Sequence, residues 1–162
     1  MFLTIAFYHF VNLKNIEQLQ PVIQKFCQNN NLKGTILLAC EGINGTISGH
    51  DINIHEFLKF IKDDTFLNGS FKNLEHKESW ATENPFYRMK VRLKKEIVAL
   101  GVEGVSPSKK VGKYVAPEDW NELINDPDTI VIDTRNNYEV DIGTFKNSVN
   151  PEMESFREFP SY

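Results

Sequence analysis

The chain has 162 residues, enough for one ordinary domain or for a small domain with part of another. Its hydrophobic fraction of 41 %, with 12 Phe, 5 Tyr and 2 Trp, supports a packed core and excludes global disorder. The net charge of −4 hides a division: residues 1–116 hold 15 Lys and Arg against 11 Asp and Glu, whereas residues 117–162 hold 3 against 11. Two units with different surfaces are therefore expected, and the acidic total does not exclude an anionic partner for the first. No apolar run approaches the roughly 18 residues of a membrane span, and the start lacks the basic stretch of a secretory signal. Two cysteines, Cys27 and Cys40, are too few for a disulfide framework and match no zinc spacing. A cytoplasmic location is the expectation.

Residues 2–11 are rich in β-branched and aromatic side chains and read as a buried strand. Ile16, Leu19, Ile23, Phe26 and Cys27 then recur at helical spacing, with Asn15 as candidate cap. Pro21 either occupies the first turn of a helix starting near Gln20 or kinks a longer one. Residues 35–39 form a second strand, residues 42–45 a turn, and residues 46–48 open a third strand, making a hairpin. Asp51 can cap a second helix, whose apolar stripe is Ile54, Phe57, Leu58 and Ile61. A fourth strand falls over residues 71–79. The order β-α-β-β-α-β is the split βαβ pattern of a ferredoxin-like α+β sandwich, two helices on one face of a four-stranded antiparallel sheet.

Residues 89–100 alternate into a further strand or hairpin, and residues 101–116, rich in Gly, Ser and Lys, read as a linker after a first domain over 1–100. A short helix follows, with Pro117 in its first turn, Glu118 and Asp119 at its dipole-favoured end, and Trp120, Leu123 and Ile124 inward. Residues 129–133 form a continuous apolar run, as in a parallel strand covered on both faces. Residues 117–162 are too few to enclose an α/β core, which usually takes about 100 residues. They are expected to be the incomplete start of a second domain in a longer protein. Trp120, Ile130, Ile132 and Phe145 would need cover from elsewhere, which makes self-association through this part an expectation.

Four constellations carry chemistry. Arg88, Lys90, Arg92 and Lys94 are spaced by two, so a strand directs them to one face. With Phe86 and Tyr87 nearby, that face suits phosphates and unpaired bases, while an edge guarding against aggregation is the plainer use. Glu41, Gly42, Asn44 and Gly45 form a turn in which the glycines and Asn44 tolerate φ > 0, and Glu41 can contact substrate or only close the hairpin. Asp133 ends the apolar run, where open α/β sheets bind ligands. Arg135 and Glu139 stand at the i,i+4 spacing of a helical ion pair. His9, His50, His55 and His76 show no metal-binding spacing, so no metal site is expected. The loop at residues 12–15 has neither the arginine nor the glycine of a phosphate cradle, which excludes acylphosphatase chemistry.

Three stretches together resemble one family. They are Leu37-Leu-Ala-Cys-Glu-Gly-Ile-Asn-Gly-Thr46, Pro85-Phe-Tyr-Arg-Met-Lys-Val-Arg-Leu-Lys-Lys-Glu-Ile-Val98 and Val131-Ile-Asp-Thr-Arg-Asn-Asn-Tyr-Glu-Val-Asp-Ile-Gly-Thr-Phe145. The family is the rhodanese-like tRNA uridine hydroxylases, bacterial proteins with a ferredoxin-like (acylphosphatase-like) domain followed by a rhodanese domain. The resemblance implies oxygen-dependent formation of 5-hydroxyuridine at the tRNA wobble position, with molecular oxygen as co-substrate and the anticodon stem-loop as partner; no other cofactor is identified. It makes Asp133, Arg135 and Glu139 support for an active-site loop. The family's catalytic cysteine would fall beyond Tyr162, so this chain holds no catalytic residue of its own and is expected to be inactive. Rhodanese-type sulfur transfer and a non-catalytic RNA-binding module are the alternatives.

Overall fold

The computed structural model describes residues 1–63, 65–98, 100–102 and 112–162. Two compact units emerge, Met1–Val98 and Ala99–Tyr162. The linker expected over residues 101–116 lies largely outside the described residues.

The first unit contains β1 (Phe2–Phe10), α1 (Ile16–Asn29), β2 (Lys33–Ala39), β3 (Gly42–Gly49), α2 (Asp51–Lys62), β4 (His76–Ala81) and β5 (Met89–Leu93). The strands make one sheet in the order β4-β1-β3-β2-β5. The first four pair antiparallel in the ferredoxin-like arrangement, and β5 adds itself parallel to β2. Alternation divides the sheet. Leu3, Ile5 and Phe7 of β1, Ile36 and Leu38 of β2, and Ile43 and Ile47 of β3 turn to one side and are buried. Against them lie Ile16, Leu19, Ile23 and Cys27 of α1 and Ile54, Phe57, Leu58 and Ile61 of α2, the stripes expected from the 3.6-residue period. Full burial of one such side chain contributes roughly 1.5–3 kcal/mol, so this one core accounts for the unit's cohesion.

Several local expectations need correction. Asn15 is the N-cap of α1 by conformation, not by its side chain: it adopts the left-handed region (φ 55°) and its carbonyl accepts from Gln18 and Leu19. Pro21 falls inside α1, well past the first turn, where the helix continues across the missing donor. His50, not Asp51, is the N-cap of α2, and the Asp51 carboxylate accepts the Ile52 N–H. The fourth strand starts at His76, not residue 71. Phe71 and Leu74 are buried from a turn that follows a 3₁₀ segment at Phe66–Gly69, so their apolar character reports core contact without strand structure.

The turn expected at residues 42–45 is instead Cys40-Glu41, and β3 begins at Gly42. Gly42 has φ 146°, and a Cβ there would meet the His9 carbonyl oxygen at 2.0 Å. Gly45 has no such backbone need; a Cβ there would press on Phe7 and Ile36. Asn44 is likewise an ordinary strand residue.

Strands β4 and β5 sit at opposite edges although only residues 82–88 join them. Four strand spacings are about 19 Å, and eight residue steps reach at most about 29 Å. The connection can therefore cross the sheet directly, with about 10 Å left for the bends at residues 82–83, 85 and 87–88. It crosses the face opposite the helices, where Asn84 donates to the Ser48 carbonyl (3.3 Å) and Ser48, a strand residue of that face, is fully buried.

The second unit contains α3 (Pro117–Asn125), α4 (Asn137–Val140) and a terminal 3₁₀ turn at Phe156–Ser161. The strand expected at residues 129–133 is reduced to one parallel bridge, Ile132 with Val149. Two backbone bonds hold it, Asp133 N–H to Val149 O and Val149 N–H to Val131 O. Among the described residues no further segment flanks it, and Ile130 is 77 % exposed. Trp120 packs on Phe145 (5.2 Å between ring centres), whereas Leu123 is exposed rather than inward.

Replacing Gly42 by Ala should lower the stability of the first unit by more than about 2 kcal/mol, because it adds both a steric overlap and a strained φ. Gly143→Ala, with open space around it, should change stability by less than about 0.5 kcal/mol. Urea unfolding of the two variants checks the pair.

Candidate nucleic-acid interface

The basic residues of β5 owe their position to the register with β2. Val91 pairs with Ile36 and is buried, which turns Lys90 and Arg92 to the face away from the helices, beside Thr35 and Leu37. Gly34 N–H donates to Arg88 O and Lys94 N–H to Leu38 O, so the ladder continues past both strand ends and keeps the two-residue spacing of Arg88 and Lys94. The outer edge at Val91 is closed by α1: Gln20 donates to its carbonyl (3.0 Å) and its N–H donates to Gln24 (2.8 Å). Two glutamines one helical turn apart thus blunt the edge. That leaves edge protection an incomplete reason for the cations.

Their mutual proximity shows in their electrostatics. The Lys90 ammonium is pushed below its ordinary pKa, first by Arg88, then by partial desolvation and by Arg92. Like charges close enough to do this present a concentrated positive potential, which an anion would relieve. Lys94 is exposed but is not among the charges acting on Lys90.

The strand registers extend this face across the whole sheet. One row reads Lys77, Ala6, Thr46, Thr35, Lys90; the next reads Tyr8, Asn44, Leu37, Arg92; a third reads Ser79, Thr4, Ser48, Lys33. Among the described residues, no strand position of this face is acidic, and four are Lys or Arg. Tyr8 was missed in the sequence because β1 reads there as uniformly buried, Lys33 because the expected second strand begins at residue 35, and Lys77 because its sheet face is set by pairing with β1. The signal that would find Tyr8 is the alternation of Leu3, Ile5 and Phe7 with Thr4, Ala6 and Tyr8.

Glu41 and Asn44 work as a bracket. The Glu41 carboxylate accepts the Ile97 N–H (2.6 Å), and the Asn44 amide donates to the Ile97 carbonyl (2.8 Å). Both polar groups of one residue are thereby held, and Ile97 is buried. The expected strand over residues 89–100 accordingly stops at Leu93, and residues 94–98 fold back over the open face at Asn44. This gives the turn motif a structural use that its spacing did not disclose.

In the second unit Asp133, Arg135 and Glu139 do not form the expected arrangement. Arg135 pairs with Asp133, Nε to Oδ1 at 2.9 Å and Nη2 to Oδ2 at 2.6 Å, and donates also to the Gly143 carbonyl. Thr144 donates its hydroxyl to Asp133 Oδ2 (2.7 Å). Glu139 instead closes a capping box with Asn136 at the start of α4. Arg135 precedes that helix, so i,i+4 helical spacing never applied to it. Arg135 first, and Thr144 second, hold the Asp133 carboxyl well below the usual carboxylate range.

The cysteines divide. Cys27 is buried in the α1 stripe, where desolvation pushes its thiol up to about 12, and Cys40 is exposed in the hairpin turn. Among the described residues, no cluster of three His, Cys, Asp or Glu side chains is placed to hold a metal, and no helix is long and apolar enough to cross a membrane.

Sheet order and helix placement define the first unit as an α+β acylphosphatase-like, ferredoxin-type domain. A family profile described as "UPF0176 acylphosphatase like domain" matches residues 2–97, and the chain belongs to that family. It is similar to the tRNA uridine(34) hydroxylase of Rhizobium leguminosarum bv. trifolii, 55 % identical over 99 % of this chain and 51 % of that protein. It is similar also to the tRNA uridine(34) hydroxylase of Acaryochloris marina, 53 % identical over 99 % of this chain and 51 % of that protein. The chain thus spans about half the length of the curated relatives it matches. Among solved structures, the acylphosphatase of Bacillus subtilis aligns at 15 % identity and a TM-score of 0.42, over 57 % of this chain and 99 % of that one.

Glu41→Ala should cost about 1.5–3 kcal/mol and Asn44→Ala about 1 kcal/mol, the usual range for a charged and a neutral hydrogen bond. Hydrogen exchange at the Ile97 amide should accelerate in the Glu41 variant. Because the folded Asp133 pKa lies below its unfolded value of about 3.9, its stabilisation is complete above that pH and is lost as pH falls below about 4. Trp120 fluorescence melts across pH 2–7 should show that loss, and Asp133→Asn should lower stability at pH 7 and flatten the acid dependence.

Proposed function

We propose that this chain is the RNA-contacting half of a tRNA uridine-34 hydroxylase, and that the whole protein carries out oxygen-dependent hydroxylation of the wobble uridine to 5-hydroxyuridine. The observation that carries the reading is the sheet face itself: cations from β2, β4 and β5, no acidic strand position among the described residues, and Lys90 perturbed by Arg88 and Arg92. Aligned cations neutralise successive phosphates and release their counterions. Identity of 55 % to a tRNA uridine(34) hydroxylase along nearly the whole chain supports the same substrate class. Arg88, Lys90, Arg92 and Lys94 are the proposed phosphate contacts, with the anticodon stem-loop as partner.

The second unit is read as the start of a rhodanese-like domain. Asp133, braced by Arg135 and Thr144, would act there as structural support for a neighbouring loop rather than in the chemistry. Cys27 is unsuited to nucleophilic work because its thiol is buried and protonated. On this reading the 162-residue chain binds tRNA without modifying it.

Replacing Arg88, Lys90 and Arg92 by Ala should weaken binding of an anticodon stem-loop and lower the log–log salt slope by about 0.7–0.9 for each phosphate no longer neutralised. Unchanged affinity and slope in a folded triple variant would refute the assignment. For the whole protein, nucleoside mass spectrometry of tRNA from cells lacking it should show loss of the 5-oxygenated wobble uridine. Loss of thiolated nucleosides instead would indicate sulfur transfer.

A further inference from the structure

We propose that the open sheet face between its two crossing segments is a site for an unpaired nucleotide of single-stranded RNA, with a base stacked on Tyr8 and flanking phosphates on Lys77 at one edge and Lys90 and Arg92 at the other. The proposal rests on the RNA-contact reading and adds to it the strandedness of the ligand and a stacking residue outside β5.

Geometry defines the strip. Residues 82–88 lie over the Thr4–Ser48 row, fixed by Asn84 on the Ser48 carbonyl. Residues 94–98 lie over Asn44, fixed by the bracket on Ile97. Between them the row Ala6, Thr46, Thr35 carries only small side chains, with Lys77 and Lys90 at its ends. Ala6, Thr35 and Lys77 are exposed, and Tyr8 on the adjoining row is 54 % exposed. A floor of small residues with an aromatic at its rim admits a flat base. The strands that carry these cations lie about 19 Å apart, four strand spacings, so the phosphates they hold belong to a short run of nucleotides on either side of the stacked base.

Chemistry selects the ligand. The strip holds hydroxyls of Thr35 and Thr46 and no carboxylate among its described strand positions, which suits a phosphodiester and disfavours a basic peptide. Stacking on an aromatic ring needs a base free of its partner, so loops and single strands fit whereas a continuous A-form duplex keeps its bases stacked inside. Tyr8 meets Phe10 edge-on (6.2 Å, 68°), a contact that restrains its ring on this face.

Fluorescence anisotropy with a labelled single-stranded oligouridylate and a blunt RNA duplex of equal length, using the full 162-residue chain, tests the site. The single strand should bind more tightly than the duplex. Tyr8→Ala should weaken single-strand binding about tenfold, the usual scale for removing one base stack. Tyr8→Phe should stay within about twofold of the parent, and neither variant should alter the salt slope, since no charge is removed. Lys77→Ala should lower that slope by about 0.7. Wild-type affinity in Tyr8→Ala, with weakened binding in Lys90→Ala and Arg92→Ala, overturns the stacking site while leaving the basic-strand reading intact. Failure of the parent chain to bind either RNA overturns both. The Phe variant guards against misfolding as the cause of a loss, because it keeps the ring and removes only the hydroxyl.

Discussion

A seven-residue connection between two strands at opposite edges of one sheet governs the first unit. Strands β4 and β5 are neighbours in sequence but are separated by β1, β3 and β2 in space, and residues 82–88 reach far enough for a direct crossing only. A detour around α1 and α2 would exceed that reach. The segment therefore crosses the helix-free face and delivers β5 parallel to β2. Parallel placement sets the register that buries Val91 and turns Lys90 and Arg92 outward. The cationic row is thus a consequence of a short crossover, secured by two glutamines of α1 on one side and by the Glu41–Asn44 bracket beyond its end.

Local pattern was legible in the sequence and pairing was not. The stripes of α1 and α2 are set by nearest turns, so spacing alone located them. Strand β4 was displaced because Phe71 and Leu74 are apolar for a core they reach from a turn, and composition does not separate that case from a strand. The partner of β5 lies some fifty residues away in the chain, and nothing local encodes it. Glu41 and Asn44 looked like turn chemistry, yet their side chains act on Ile97, an arrangement that exists only after the sheet has assembled. Arg135 drew Asp133 rather than Glu139 because α4 starts two residues later, at Asn137.

Charge organisation explains how a chain of net charge −4 can present a locally cationic sheet face. Half of the 22 acidic residues lie in residues 117–162, while the open sheet face collects Lys33, Lys77, Lys90 and Arg92 with no acidic strand position among the described residues. Screening over about 8–10 Å at physiological salt means that a phosphate on that face responds chiefly to charges within that range. The second unit is held differently. Its best-defined feature is a polar network around Asp133, and Met153 is its one buried apolar side chain among the described residues.

Binding of RNA to the helix-free face of the sheet is tested most directly by backbone amide chemical shifts of the isotopically labelled chain, recorded while an unmodified anticodon stem-loop is added. Perturbations should concentrate at alternate residues of the open face, Ala6 and Tyr8, Thr35, Asn44 and Thr46, Lys90 and Arg92, with α1 and α2 silent along their exposed sides. Perturbations confined to the helices, or to residues 112–162 with the sheet unaffected, would contradict binding at that face.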